Sequence, residues 1–366
     1  MKIGILTFHN AYNYGAILQC YATQEMLKGM GHDVEVIDYH NHAIDKNYAT
    51  NKYSYFRLPK RFWKWPSYFV TVFFYHKRLQ SFDRFTSSFL KLSQKRYEYG
   101  RKHHFEGYDL ILIGSDQLWN VDITRGFDDV YWGNFSKDMK TKVLTWSISM
   151  NYVPDDADSQ NKICQYLNNF DGISVREKML HDILLSRYKK ESVITLDPTL
   201  LLSVDKWHGL CKSNQKNNDY IAVYAVERST FAITYEIARR LARKTKMEIR
   251  VIKAYCDSDF SKYAVQYASP DEFLSYINNS KYVITSSFHG TAFSIIFHKQ
   301  FFALSDINGK QNDRINSLLF HTGLECCAIN QNETFDNVPD IDFVSADQKL
   351  QQLKIQTMKF LKQFDV

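Results

Sequence analysis

Residues 1–38 read MKIGILTFHNAYNYGAILQCYATQEMLKGMGHDVEVID, and their pattern decides the fold. Lys2–Thr7 is a short apolar strand pattern. FHNAYNYGA interrupts it with turn-forming residues, Ala16–Met30 carries the 3.6-residue apolar spacing of a helix, Gly31 stops that helix, and Val34–Asp38 is a second strand. Strand, helix, strand in this order is a βαβ unit, and it sets two parallel strands in one sheet.

The rhythm recurs along the chain. Strand patterns return at Tyr108–Ile113, Val143–Ser149, Gly172–Val175 and Val193–Leu196, and after Trp207 at Tyr220–Tyr224, Glu248–Lys253 and Tyr282–Thr285. Helical patterns cover Phe231–Lys244, Gly290–Phe297 and Ala346–Phe364, and Ser269-Pro270-Asp271-Glu272 opens another helix as a capping box. At 366 residues the chain is long for one core. The expected fold is therefore α/β, with two Rossmann-like domains facing a cleft. The first spans residues 1–204, with an aromatic, basic, helical insertion over 40–105. The second spans 205–366, with a C-terminal helix packing back.

Composition narrows the class. With 45% hydrophobic and 23% charged residues the chain is an ordinary globular one. It lacks a run of about 18 apolar residues and begins directly on a strand, which reads as cytoplasmic and unprocessed. Six cysteines without a C-x-x-C spacing fit a reducing compartment rather than a zinc site. The net charge of +6 is local: between Arg57 and His103, 12 Lys and Arg face only Asp83 and Glu98, so the remainder is mildly acidic. That distribution excludes a nucleic-acid binder and points to one basic surface.

Parallel sheets bind ligands beyond the carboxyl ends of their strands. Four such ends carry polar clusters. Ile284–Thr291, ITSSFHGT, places Ser286, Ser287, His289 and Thr291 there, with Gly290 allowing close approach. Ser115, Asp116, Gln117, Trp119 and Asn120 follow YDLILIG, and Arg176-Glu177 follows GISV. After the first strand stand His9 and Asn10, then Asn13, Tyr14 and Gly15. The plainer readings are helix caps, a turn and a surface ion pair. Convergence of an acid, an imidazole and an arginine favours a site. His40 with His42, and His103 with His104, lack a third ligand and read as surface residues, so no metal and no cofactor are expected.

NYGAILQCYATQ, GSDQLWN, SVRE, LDPTLLL and SSFHGTAFSIIFHKQF, in this order over roughly residues 3 to 325, resemble the polysaccharide pyruvyl transferase family. The resemblance implies a fold similar to two-domain GT-B glycosyltransferases. It also implies transfer of an enolpyruvyl unit from phosphoenolpyruvate to a sugar, or to a lipid-linked oligosaccharide, as a cyclic ketal. Arg176 and His289 would sit at the donor with Ser286, Ser287, Gly290 and Thr291, while Asp116 would serve as His289's catalytic partner. Asn10, Asn13, Tyr14, Gly15, Ser115, Gln117, Trp119 and Asn120 would face the acceptor. Family members usually carry an arginine where Ser287 stands. Its loss should cost about 1.5–3 kcal/mol of anion binding unless a cation such as Arg314 or Arg125 replaces it.

Two rivals have distinct signatures. A nucleotide-sugar glycosyltransferase would place a ribose-binding carboxylate after the H-G turn, where AFSIIF (Ala292–Phe297) has none. A non-catalytic glycan-binding relative would have no reason to keep Asp116, Arg176 and His289 together. Finally, Phe62–Arg78, FWKWPSYFVTVFFYHKR, interleaves aromatics with cations. It reads either as a packed amphipathic helix or as a peripheral contact with the inner face of the membrane through Lys60, Arg61, Lys64, Lys77 and Arg78.

Overall fold

The first βαβ unit forms where its pattern predicts: β1 (Lys2–Leu6), α1 (Tyr14–Gly29) and β2 (Asp33–His40), with Ile3 opposite Val34 and Ile5 opposite Val36 in parallel register. The computed structural model describes residues 1–44, 62–212, 219–259, 263–307, 310–335, 338 and 340–366. Asn13 caps α1, its side chain accepting from the backbone N–H of Gly15 and Ala16. The expected Lys60 and Arg61 contacts lie outside the described residues.

Five more strands complete this sheet: β3 (Leu92–Glu98), β4 (Leu110–Asp116), β5 (Lys142–Ile148), β6 (Ser174–Val175) and β7 (Val193–Ile194). Their spatial order is β3-β2-β1-β4-β5-β6-β7, every pair parallel. The second sheet holds β8 (Tyr220–Ala225), β9 (Glu248–Lys253), β10 (Ala264–Val265), β11 (Tyr282–Thr285), β12 (Gln300–Ile307) and β13 (Lys310–Gln311). They run in the order β10-β9-β8-β11-β12-β13, with β14 (Ala328–Asn330) also beside β12. Only β13 is antiparallel among these pairs. Strands such as YIAVYA of β8, buried at all six positions, show why the sequence reads as continuous apolar runs: helices cover both faces.

In each sheet the winding reverses beside the first strand, between β1 and β4 and between β8 and β11. A crevice opens at such a reversal, because the helices leaving the two strands go to opposite faces.

The insertion expected to be helical over 40–105 is only partly so. A long helix, α2 (Trp65–Phe89), is followed by β3, whose sequence LSQKRYE is mostly polar. As the edge strand beside β2 it buries only Tyr97, and polar residues blunt an edge against further pairing. Three later helices matter for the site and the ends: α3 (Phe288–Ile296), α4 (Asp313–Thr322) and α5 (Phe343–Lys362).

The chain divides into two units by contact: residues 1–51, 87–202 and 352–366 in one, 52–86 and 203–351 in the other. The insertion is thus split, where the sequence reading gave it whole to the first domain. Residues 52–86 join the second unit because buried Arg78 donates to the carbonyls of Lys253 (3.0 Å) and Gln266 (3.4 Å). Residues 352–366 join the first, where Thr357 accepts from the Leu196 N–H (3.0 Å). Among the described residues no helix is long and apolar enough to cross a membrane.

Candidate active site

In the first unit the strand ends at the reversal meet through side chains. Thr7, just past β1, donates from its hydroxyl to Ser115 O on β4 (3.1 Å), and Gln19 on α1 donates to Thr7 Oγ1 (2.7 Å) while accepting from the Ser115 N–H (3.2 Å). Gly114 makes this approach feasible. Its φ is +137°, and a Cβ there would lie 2.1 Å from the backbone oxygen of Trp146. Asp116 follows at φ +86°, a conformation that costs a non-glycine residue about 1–3 kcal/mol and persists where the surroundings impose it. Its carboxylate, half-exposed, accepts from the Gln117 N–H (2.9 Å).

Other predicted residues of this unit fall differently. Tyr14 and Trp119 are 0% and 1% exposed, and Trp119 stacks on Trp132 with centroids 4.4 Å apart. Both rings are core, and the Trp119 indole N–H donates to Tyr131 O (3.0 Å). Gly15 is buried in the first turn of α1. Gln117 and Asn120 are buried and bonded to each other (2.7 Å), and Asn120 also caps a one-turn helix. Asn10 and Asn13 stay half-exposed.

Arg176 has a buried partner that the sequence reading did not name. It stands at the end of β6 as expected, but its Nη2 lies 2.5 Å from Asp197 Oδ2, and the two side chains are 4% and 0% exposed. It also donates to the Ser115 hydroxyl, which lies within reach of Asp197 (3.3 Å) and Ser147 O (3.2 Å). Asp197, hidden in LDPTLLL as a helix cap, compensates the guanidinium that was expected to meet an anion. Arg176 thus ties the ends of β4 and β6 together.

In the second unit the ITSSFHGT segment folds as a strand end feeding a helix. Thr285 donates to Tyr224 O on β8 (2.6 Å), and Ser286 shares a hydrogen bond with Thr230 (2.9 Å). Ser287 is the N-cap of α3, accepting from the Gly290 N–H (3.4 Å), and Thr291 donates back to Ser287 O (3.1 Å). One of the four hydroxyls, that of Ser287, is therefore spent on capping, as the plainer reading allowed, and that of Thr291 bonds back within the same turn. Gly290 has no room for a side chain: a Cβ would lie 2.3 Å from Thr285 Oγ1. His289, on the first turn of α3, is buried with its ring edge-on to Phe288. The positive end of α3 lies beside it. Arg314, half-buried, is on the first turn of α4, which packs beside α3. Arg125, the other cation considered, is exposed in the first unit.

A further cluster lies at the ends of β1 and β2. His9 Nε2 and His40 Nε2 stand 3.0 and 2.9 Å from the same oxygen of Asp38, and Arg96 Nε stands 2.9 Å from the other. Burial alone would raise the Asp38 pKa, but hydrogen bonds from His40, His9 and Arg96 outweigh it and hold the carboxyl well below the usual range. His40 is therefore not a plain surface residue. It shares Asp38, two positions earlier on β2, with His9 from beyond the end of β1, while His42 is exposed. No sequence motif announces this cluster, since its members are 29 and 31 positions apart or alternate along one strand. His103, half-buried, bonds Glu98 O (2.8 Å), and His104 is exposed.

The family model described as polysaccharide pyruvyl transferase matches residues 13–307. No curated protein matches the chain. In structure the chain is similar to UDP-GlcNAc 2-epimerase from Methanocaldococcus jannaschii, at 10% identity over 96% of this chain and 92% of that one, with a TM-score of 0.47. It is similar to the UDP-GlcNAc 2-epimerase from Neisseria meningitidis bound to UDP-GlcNAc at 10% identity over 100% and 94%, TM-score 0.47. UGT89C1 of Arabidopsis thaliana complexed with UDP aligns at 13% identity over 99% and 93%, TM-score 0.41.

Proposed function

The chain belongs to the polysaccharide pyruvyl transferase family, and from that premise we propose that it transfers an enolpyruvyl unit from phosphoenolpyruvate to a sugar, closing a pyruvate ketal. The observation that carries the reading is the position of the two polar clusters. Ser115–Asp116 and Ser286–His289 each stand at the winding reversal of their own sheet, where parallel folds bind ligands.

The chemistry asks little beyond proton transfer and anion stabilisation. A proton goes to the methylene carbon of phosphoenolpyruvate, leaving C2 electron-poor. A sugar hydroxyl adds to C2 and gives up its proton. Phosphate then leaves with the electrons of its C2–O bond, and a second hydroxyl of the same sugar attacks C2 and releases the last proton. His289 is the group proposed to move protons at the donor, and Asp116 is separately proposed as a catalytic carboxylate of the first unit. The N-terminus of α3 and Arg314 are the positive groups proposed to hold the donor's phosphate or carboxylate. Ser287 caps that helix in place of the arginine usual in the family. Arg176 serves this scheme by positioning Ser115.

The acceptor is proposed to be lipid-linked and met at the inner face of the membrane. Supporting this, one stripe of α2 and its entry turns four large rings outward: Trp63, Trp65, Phe69 and Phe73 are 62%, 42%, 56% and 55% exposed, beside exposed Lys64 and Lys77. Arg78, expected to join them, is buried instead.

Thermal protection tests the donor. Phosphoenolpyruvate at 100 times its dissociation constant adds about 2.7 kcal/mol of stability, whereas uridine and guanosine diphosphate sugars should add none. A larger shift from a nucleotide sugar would replace pyruvyl transfer by glycosyl transfer. In the same assay His289→Ala should keep donor affinity within about tenfold while abolishing turnover, since a proton-transfer group acts mainly in the transition state.

A further inference from the structure

We propose that His9, Asp38 and His40 bind a divalent transition ion of the zinc and cobalt class at the carboxyl ends of β1 and β2. The inference does not depend on the pyruvyl-transfer reading.

Geometry comes first. The three ligand atoms lie within 4.8 Å of one another, and both imidazole Nε2 atoms converge on Asp38 Oδ1 at 3.0 and 2.9 Å. Donors held about 2.0–2.2 Å from one ion stand roughly 3 Å apart when they occupy neighbouring coordination positions. The two rings are nearly perpendicular, at 89°, so their lone pairs approach a common point from different directions. His9 is buried and His40 half-exposed.

The proton inventory of His9 points the same way. Its Nδ1 faces Thr7 O at 3.3 Å, and a carbonyl only accepts. When the single ring proton sits on Nδ1, the lone pair of Nε2 faces a carboxylate oxygen that also only accepts. Two lone pairs 3.0 Å apart are reconciled by a second ring proton or by a metal ion bound to both, and the proposal assigns the metal ion. A backbone carbonyl that fixes the far nitrogen is the usual support of a metal-ligating histidine. For His40 the Asn10 amide nitrogen lies 3.1 Å from Nδ1, and the same support arises once that amide is turned over so that its oxygen accepts the ring proton.

The donor set selects the ion. Two imidazoles and one carboxylate suit zinc, cobalt or nickel, whereas calcium and magnesium ask for oxygen ligands. Three protein donors leave a position for water or a substrate oxygen, as at catalytic rather than structural zinc sites. Arg96 is the opposing feature. It holds the second oxygen of Asp38 at 2.9 Å, with a side chain 62% exposed. Its charge competes with the ion for the carboxylate, but an exposed guanidinium is screened and can swing into solvent.

That competition makes the proposal testable. Chelator-treated protein is titrated with cobalt(II), reading the visible absorption of the bound ion and its stoichiometry. One ion per chain is expected, and His40→Ala should weaken it by at least about tenfold, a lower bound set by what changes one layer beyond the ligands cost. Arg96→Gln should tighten binding, because it removes the competing cation and touches no ligand. Asp38→Asn should abolish the absorption; if that variant does not fold, His40→Ala and Arg96→Gln decide between them. The proposal is overturned if no one-to-one ion binds. It is equally overturned if His40→Ala leaves binding unchanged, which would place the ion on other histidines or on exposed Cys164 and Cys326, or if Arg96→Gln weakens it.

Discussion

Arg176 and Asp197 face each other across 2.5 Å with almost no solvent contact, and their energetics differ from those of a surface pair. Removing one partner leaves the other charge buried and uncompensated, which typically costs 3–5 kcal/mol. Arg176→Met should therefore lower the free energy of unfolding by about 3–5 kcal/mol in urea denaturation, and Arg176→Met with Asp197→Asn should recover most of it. A loss under about 1 kcal/mol in the single variant would mean that Asp197 is not the arginine's partner. Gly290 gives a second test at this scale. A methyl group placed 2.3 Å from Thr285 Oγ1 must push a buried strand end aside, so Gly290→Ala should cost about 1–3 kcal/mol by the same measurement. The sequence marked Arg176, His289 and Gly290 by their place after strands. It did not pair Arg176 with Asp197, or His9 with Asp38 and His40, because a carboxylate that caps a helix and a histidine after a strand look alike whether or not a distant residue returns to pair with them.

At the scale of elements, α2 separates two roles that its sequence mixes. Thr71, Tyr75, Arg78, Leu79, Phe82 and Phe85 are buried, while Trp65, Phe69 and Phe73 recur every four residues on the other side. Exposed aromatics beside lysines favour an anionic membrane surface, with each Lys or Arg near it worth about 1 kcal/mol. Replacing Trp63, Trp65, Phe69 and Phe73 by Ser should abolish co-sedimentation with anionic vesicles at low salt and leave the melting temperature almost unchanged. By contrast, Leu79→Ala or Phe82→Ala should cost about 2–5 kcal/mol of stability. Wild-type protein that stays in the supernatant with anionic vesicles would end the membrane reading. The most buried strands were legible for a simple reason: a parallel strand buried on both faces must be a run of apolar residues, so β11 coincides with its pattern and β8 runs one residue past its own. β3 was not legible, because an edge strand need bury only one side chain in seven and its polarity imitates a loop.

At the scale of the whole molecule, the chain passes from one unit to the other three times before its end and once more near residue 351, so neither unit is a continuous piece of sequence. The first draws on the C-terminal end of α5, where Thr357 accepts from the Leu196 N–H at 3.0 Å and the Phe364 ring lies so close to Gly172 that an added Cβ would be 2.4 Å from it. The second draws on α2, whose buried Arg78 donates to the carbonyls of Lys253 and Gln266. A fragment of residues 1–204 would lack the first set of contacts and expose the face that buries Tyr75, Leu79 and Phe82 in the second, with Arg78 among them. Leaving out those partners removes several kcal/mol from a unit whose total stability is of the order of 5–15 kcal/mol. The fragment should therefore show no cooperative melting by circular dichroism and should aggregate. A rearranged chain, with residues 1–51 joined through a short flexible linker to 87–202 and then to 352–366, should melt cooperatively, because it restores the first unit's own segments and omits the second's. A sharp native-like transition in the 1–204 fragment would show instead that the C-terminal segment is dispensable, and that a cut near residue 204 follows a real boundary in the folded molecule.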